Sequence, residues 1–110
     1  MIYGFGKLNE YAERIYANAK ATGIPITTST SSARGTLPAS TGRFFVVVND
    51  SDSLAYVNFG NASVVATSAN PAVAPASYAI FERNADTDVA VAVLLGAGEG
   101  LASVYQVTPL

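Results

Sequence analysis

Few residue types that support chemistry occur in this chain of 110 residues. It has no histidine and no cysteine, which removes imidazole bases, thiol nucleophiles and the usual zinc ligands. The densest group of carboxylates is Asp50-Ser51-Asp52, the way a calcium loop begins. However, Ala55 stands where that loop needs glycine, and Asn61 stands where a bidentate glutamate belongs. We therefore expect no metal and no cofactor.

Two further patterns indicate catalysis or phosphate binding only superficially. Carboxylates that could pair for glycoside hydrolysis all lie at or near predicted turns, where a solvated acid is the usual case; they are Glu82, Asp86, Asp88 and Glu99. The glycine-rich run 96–100 is followed by a predicted strand, so no helix N-terminus is present to receive an anion. We expect no catalytic residue, and hence a protein that is not an enzyme.

Three tyrosines are the remaining candidates for ligand contact. Tyr56, Tyr78 and Tyr105 each lie in a predicted strand and together form a candidate surface for stacking sugar rings. Packing between sheets or between subunits explains the same residues more simply. Nucleic acid is not expected as a partner, because residues 44–110 carry one basic against six acidic side chains.

The elements that must position these residues are predicted to be β-strands. The stretch 43–60 is predicted to be a β-hairpin at the centre of the fold, with a polar turn at 49–53. Its first strand, 44–48, is apolar throughout and therefore suited to burial on both faces. In its second strand Ala55, Val57 and Phe59 share one side, which leaves Tyr56 and Asn58 on the other.

The same patterns predict an all-β fold for the rest of the chain. Further strands are expected at 24–28, 63–67, 77–83, 88–95 and 102–108, so that turns recur every 8 to 12 residues. Ala90 and Ala92 on one face leave room for a second sheet or another subunit to approach closely. This spacing indicates a small β-sandwich or barrel, and we favour a jelly-roll-like β-sandwich over residues 42–110. The pattern does not determine the strand order.

Residues 1–41 are predicted to be an N-terminal leader with a different organisation. A short helix is expected over 9–20, where Leu8, Tyr11, Ala12, Ile15 and Ala19 fall on one face. That helix either covers one end of the sheet or binds a partner. The Ser/Thr-rich stretch that follows it reads as an extended arm or a plain linker.

Charge and aromatic residues make the leader a candidate for partner binding. Residues 1–43 carry five basic and two acidic side chains, a balance of +3 beside the acidic remainder of the chain. Tyr3 and Phe5 require burial on the domain or on a neighbour. The candidate partner-binding residues of the leader are Tyr3, Phe5, Tyr11, Ile15 and Arg34.

The N-terminus lacks the basic head and apolar run of a secretory signal, and no apolar run is long enough for a membrane span. We therefore expect a soluble, unexported chain with no membrane partner. The absence of cysteine leaves the redox compartment open.

Residues 42–109 resemble small structural proteins of tailed bacteriophages, of the capsid decoration or cementing kind. The likeness is one of pattern: a strand ending in Asn49, a turn, an alternating strand that closes on Phe59-Gly60, and a late strand before Thr108-Pro109. The segments that carry it are 42–49, 55–60, 64–67, 87–90 and 104–109, with Pro75 and Phe81. The leader has no counterpart in this resemblance.

The resemblance implies a trimeric, jelly-roll-like virion protein that bridges capsid subunits. Its partners would be the major capsid protein and other copies of itself, and its place would be the virion, assembled in the host cytoplasm. A surface with few charges, 13% of all residues, is compatible with cover by partners. The alternative is a receptor- or glycan-binding knob on a tail or head fibre.

Overall fold

The computed structural model describes residues 2–7, 24–37, 44–84 and 87–107, and every regular element among them is a β-strand. The predicted all-β class is confirmed for this part of the chain. The strands are β1 Ile2–Lys7, β2 Ile24–Thr28, β3 Ala33–Thr36, β4 Phe44–Asn49, β5 Ala55–Gly60, β6 Ala72–Val73, β7 Ser77–Glu82, β8 Ala90–Leu95 and β9 Gly100–Val107.

The strands form two antiparallel sheets. One has five strands in the order β1-β7-β4-β9-β2, and the other has four in the order β3-β8-β5-β6. Alternate residues of both sheets contribute to one hydrophobic core, which is the arrangement of a β-sandwich. Its fully buried members include Phe45, Val47, Phe81 and Val104 from the five-stranded sheet, and Val57, Val91, Val93 and Leu95 from the four-stranded sheet.

The central strand β4 is buried on both faces, as its apolar sequence predicts. Phe45 and Val47 point into the core, while Val46 and Val48 point away from it and are only 1% and 2% exposed. In β5, Ala55 and Val57 are in the core and Phe59 packs against it, which confirms the predicted alternation.

The predicted β-hairpin over 43–60 is wrong. β4 pairs with β7 and β9 in one sheet, whereas β5 pairs with β6 and β8 in the other. Residues 50–54 therefore cross from sheet to sheet instead of closing a hairpin. A strand that is apolar on both faces is most stable at the centre of a sheet, where it has a neighbouring strand on either side. β4 has that position in the five-stranded sheet, between β7 and β9.

The described parts of the leader belong to the same sandwich. β1 and β2 form the two edges of the five-stranded sheet, and β3 forms one edge of the four-stranded sheet. The predicted edge strand at 24–28 is confirmed, but residues 33–36 are a paired strand instead of part of an arm. A boundary at residue 41 therefore does not separate the leader's strands from the body. The predicted helix at 9–20 lies outside the described residues.

One further strand prediction differs from the structure. Residues 63–67 were expected to form a strand because of Val64 and Val65, but they pair with no sheet edge. They belong instead to the connection from β5 to β6. β5 pairs with the two-residue β6 on one side and with β8 on the other. Local β-propensity alone does not make a strand, because a strand also requires backbone pairing with a neighbour.

Candidate interaction surfaces

The described residues contain no group of three or more carboxylates placed to hold a metal ion. Asp50 and Asp52 are exposed at the turn after β4, whereas Ser51 between them is buried. The Ser51 amide and hydroxyl both donate to Asn49 Oδ1, at 2.9 and 2.6 Å. The turn is therefore organised around the Asn49 amide, and nothing in it resembles a calcium loop.

Asn49 is a fully buried amide with every polar atom in use. Its Nδ2 donates to the carbonyl oxygens of Ser53, Val73 and Ala74, at 2.7, 3.0 and 3.2 Å. These bonds tie the β4–β5 turn to the β6–β7 loop at one end of the sandwich. Because each donor and acceptor is satisfied inside the protein, Asn49 has a structural role.

Arg83 is the buried charge at the opposite end of the sandwich. Its guanidinium carbon lies 5.1 Å from the centroid of the Phe45 ring, and its Nη1 donates to the carbonyl oxygen of Asp88 at 3.3 Å. The Phe59 ring packs against Phe45 and Phe81, with centroids 6.1 and 5.5 Å away. Arg83 therefore closes the core and fastens the β7–β8 loop, which makes it a structural residue.

An uncharged apolar patch lies on the outer face of the four-stranded sheet. Tyr56 stands between Ala72 and Leu94 in register, and all three face away from the core. A Cβ at Gly96 would lie 3.8 Å from Tyr56 Cε2 and 4.0 Å from Leu54 Cβ, so Leu54 and the Tyr56 ring both border Gly96. We call Leu54, Tyr56, Ala72 and Leu94 the Tyr56 patch. Leu54 is 43% exposed, and a contiguous apolar surface of this kind is typical of a contact site.

Next to this patch, residues 64–66 cross the outer face of the four-stranded sheet and form what we call the strap. Arg34 Nη1 donates to the carbonyl oxygen of Val64 at 3.3 Å, and Asn58 Nδ2 donates to that of Val65 at 2.9 Å. The Ala66 amide donates to Ser32 Oγ at 2.9 Å. These bonds hold the strap across strands β3 to β5, while the Val65 side chain remains exposed.

The strap accounts for the two small residues of β8. Ala90 and Ala92 face outward, and both are buried. Ala92 lies in register between Arg34 and Asn58, the two residues whose side chains hold the strap. The space above these alanines, which was expected to admit a second sheet or another subunit, is therefore occupied by the chain's own strap.

We expect the Asn58→Ala variant to loosen the strap without unfolding the sandwich. The loss of one amide–carbonyl hydrogen bond at a partly exposed site lowers the free energy of unfolding by about 1 kcal/mol. Hydrogen exchange measured by NMR should show faster exchange of the Ala66 amide, with the β4 amides unchanged. The control is Thr36→Ala, because Thr36 is an exposed residue on β3 of the same sheet. Equal exchange at Ala66 in the two variants would contradict the assigned role of Asn58.

The residues predicted to bind partners are dispersed over the structure. Tyr3 and Phe5 lie on β1, which pairs with β7 at one edge of the five-stranded sheet. Arg34 is exposed on β3 and holds the strap, at the far edge of the other sheet. Tyr11 and Ile15 lie outside the described residues. The described members therefore do not form one contact surface.

The three tyrosines do not form one stacking surface either. Tyr56 is half-buried on the outer face of the four-stranded sheet, whereas Tyr78 is buried on the outer face of the five-stranded sheet. The backbone of Tyr105 pairs with Val46 in the five-stranded sheet. Of the two tyrosine side chains that the structure describes here, those of Tyr56 and Tyr78, only that of Tyr56 is exposed enough to contact a ligand.

Sequence reasoning overlooked Leu54, Leu94 and the exposed Val65 as contact residues. The alternation of β8 is a signal that could have identified Leu94, because Leu94 shares the outward face of that strand with Ala90 and Ala92. Leu54 lies in a turn, where no periodicity marks the direction of a side chain. The Gly96 amide of the β8–β9 turn donates to the Leu54 carbonyl oxygen at 2.9 Å.

Together these observations define a class: the described residues form a small antiparallel β-sandwich with an apolar patch on one outer face. Within the described residues, no helix is long and apolar enough to cross a membrane. Comparison with protein-family models, with curated proteins and with solved structures found no match.

Proposed function

We propose that this chain is a non-enzymatic structural protein of a tailed-bacteriophage virion, which decorates or cements the capsid by bridging capsid subunits. Its partners in this proposal are the major capsid protein and further copies of itself, as a trimer. The proposal rests on one observation: the outer face of the four-stranded sheet presents the Tyr56 patch, whose four side chains are all uncharged. Protein interfaces are depleted of charge at their centre and enriched in aromatic residues.

The fold we assign to this function is a jelly roll, with a short helix at 9–20. The pairing of the last eight strands supports the jelly roll, because it is nested: β2 with β9, β3 with β8, β4 with β7, and β5 with β6, all antiparallel. Such nesting arises when a long antiparallel ribbon folds over into two sheets, as in the jelly rolls of viral capsid proteins. In this assignment β1 is an additional strand beside β7.

Exposed leucines on opposite faces of the sandwich test the contact surface. Leu54 lies in the Tyr56 patch, and Leu101 lies on the outer face of the five-stranded sheet; they are 43% and 38% exposed. We expect Leu54→Asp to weaken co-sedimentation with capsids at least about tenfold, since a buried unpaired charge opposes the contact. Leu101→Asp, the matched control, should leave co-sedimentation unchanged.

Co-sedimentation is measured with capsids that lack this chain. Light scattering of the free protein separately gives its oligomeric state. Equal co-sedimentation of the two variants would contradict the assigned surface. A wild-type chain that does not bind capsids at all would contradict the function. Point variants are preferable to removal of residues 1–40, because that deletion also removes β1, β2 and β3 from the sheets.

The alternative function, a glycan- or receptor-binding knob on a tail or head fibre, is favoured by a different property of the same surface. The partly exposed ring of Tyr56 lies beside Gly96, so no side chain there obstructs the approach of a sugar ring. Glycan binding that is lost in Tyr56→Ala while capsid attachment persists would favour this function over cementing.

A further inference from the structure

Strand β3 is an open edge of the four-stranded sheet, and the direction of its backbone groups follows from the register. The Leu37 amide, one residue beyond β3, donates to the Val89 carbonyl oxygen at 2.9 Å, so Leu37 faces β8. Because successive residues of a strand point their backbone groups to opposite sides, Gly35 also faces β8. Arg34 and Thr36 therefore point their N–H and C=O groups away from β8, where no described strand pairs with β3.

The other three edges in the described part of the chain each carry a feature that hinders the addition of a strand. β2 contains Pro25, which has no N–H to donate to a neighbour. β6 has only two residues and lies between Pro71 and Pro75. The pairing of β1 is irregular between Ile2 and Gly4. β3 has neither a proline nor an irregular pairing, so its edge is the one best suited to pair with another strand.

The inner side of β3 is already packed against the other sheet. A Cβ at Gly35 would lie 2.7 Å from Ile24 Cγ2 and 3.3 Å from Ile26 Cδ1, so β2 approaches the inner face of β3 directly. Ile26 is buried and Ile24 is partly buried. A strand added at β3 would therefore have no gap in the core to fill at this edge, and it would be held by its backbone.

The charged side chain of β3 does not block this edge. Arg34 is the single charged residue between positions 24 and 37. Its Nη1 donates to the carbonyl oxygen of Val64 in the strap, which lies on the outer face of the sheet. Arg34 and Thr36 are both exposed, so their outward backbone groups are accessible to a partner.

The sequence of β3 is complementary to itself in an antiparallel pairing. With Gly35 at the centre, Arg34 of one copy lies opposite Thr36 of a second copy, and Thr36 lies opposite the second Arg34. All four residues have outward backbone groups, so the two pairs would form about four N–H···O=C bonds. A positive side chain then faces a neutral one in each pair. A pairing centred on Arg34 would instead place two like charges opposite each other.

We propose that β3 is a self-association edge, which pairs antiparallel with β3 of a second copy about a two-fold axis at Gly35. The two four-stranded sheets then form one continuous sheet of about eight strands. The occupant must be another exposed edge with matching outward groups, and the second copy supplies one with the required register. The contact adds a two-fold association to the three-fold one of the proposed function, and it does not depend on that function.

Amide hydrogen exchange, followed by NMR, tests whether this edge is paired. We expect exchange of the Arg34 and Thr36 amides to slow at least about tenfold when the protein concentration rises about a hundredfold, because pairing covers them. The Gly35 amide faces β8 within the chain, so its rate should stay constant and provides the control. Exchange of the Arg34 and Thr36 amides that stays fast at the highest concentration would overturn the proposal.

Two variants at Thr36 test the register. Thr36 is exposed, so neither variant changes the core. Thr36→Lys places a positive side chain opposite Arg34 of the second copy, whereas Thr36→Glu places a negative one there. Each change acts twice across the two-fold axis. We therefore expect the dissociation constant, measured by sedimentation equilibrium, to rise about fivefold in Thr36→Lys and to fall about fivefold in Thr36→Glu.

The overall charge of the chain predicts the opposite order for these variants. The net charge is −2, so repulsion between copies would decrease in Thr36→Lys and increase in Thr36→Glu. Equal dissociation constants, or tighter association of Thr36→Lys, would overturn the assigned register. Slow exchange of the Arg34 amide that persists in Thr36→Lys at every concentration would overturn the self-association, because the cover would then lie within the chain.

Discussion

We expect the Asn49→Asp variant to lose about 3–5 kcal/mol of folding stability at neutral pH, because it places an unpaired charge in the core. The introduced carboxyl group would face the carbonyl oxygens of Ser53, Val73 and Ala74, which the amide now satisfies as a donor. Denaturant unfolding measures the loss. Asn49→Ala, which adds no charge but leaves buried groups unsatisfied, should lose about 2–3 kcal/mol.

The loss in Asn49→Asp should depend on pH in a defined direction. Burial without a positive partner raises the pKa of the introduced carboxyl group above its value in the unfolded chain, about 4. The loss of folding stability is therefore smallest below about pH 4, where the carboxyl group is protonated in both states. It grows as the pH rises through the folded-state pKa.

The control for both changes is Asn61→Ala. Asn61 is exposed and its Oδ1 accepts one hydrogen bond from the Ser63 amide, so the expected change is about 0.5 kcal/mol. If Asn49→Ala and Asn61→Ala were equally stable, the buried network would not be what holds the β4–β5 turn to the β6–β7 loop.

Phe45→Ala should destabilise the opposite end of the sandwich by about 4 kcal/mol, through the cavity left by a fully buried ring. Phe45 lies directly across from Phe81 in register, and the Phe59 ring from the other sheet packs against both. The change also removes the surface on which the Arg83 guanidinium rests. Denaturant unfolding at constant pH gives the loss.

Phe45→Leu is the matched variant, because it keeps most of the apolar volume while it removes the ring. It should lose only about 1.5 kcal/mol, and the difference between the two variants measures the cavity, because both lack the ring that contacts Arg83. Similar stabilities for Phe45→Ala and Phe45→Leu would indicate that the core collapses around the cavity, which would contradict this prediction.

Much of the strand content could be predicted, because it depends on side-chain alternation that is local in sequence. The continuous apolar run of β4 and the alternation of β5 both indicate how those residues are buried. The outward direction of Tyr56 follows from the same alternation. By contrast, residues 33–36, Ala-Arg-Gly-Thr, have no apolar pattern, and they form a strand because the edge of β8 is available to pair with them.

The contact surface could be predicted only in part. Tyr56 and Leu94 belong to alternating strands, but they lie side by side because β5 pairs with β8, which begins after 29 intervening residues (61–89). Leu54 precedes Tyr56 by two residues, but Gly96 of the β8–β9 turn, which borders both, comes from far along the chain. The separation of Tyr56 from Tyr78 likewise depends on which sheet each strand enters.

Composition and local alternation predict the β class of the described residues, the residues that β4 and β5 bury, and the glycine-rich turn after β8. These features follow from composition and from a period of two, which neighbouring residues are enough to specify. The fold, in contrast, places β4 and β5 in different sheets, lays residues 64–66 across Ala92, and makes Asn49 join two loops. Each depends on pairing between residues far apart in sequence, where the choice of partner reflects the burial of whole strands.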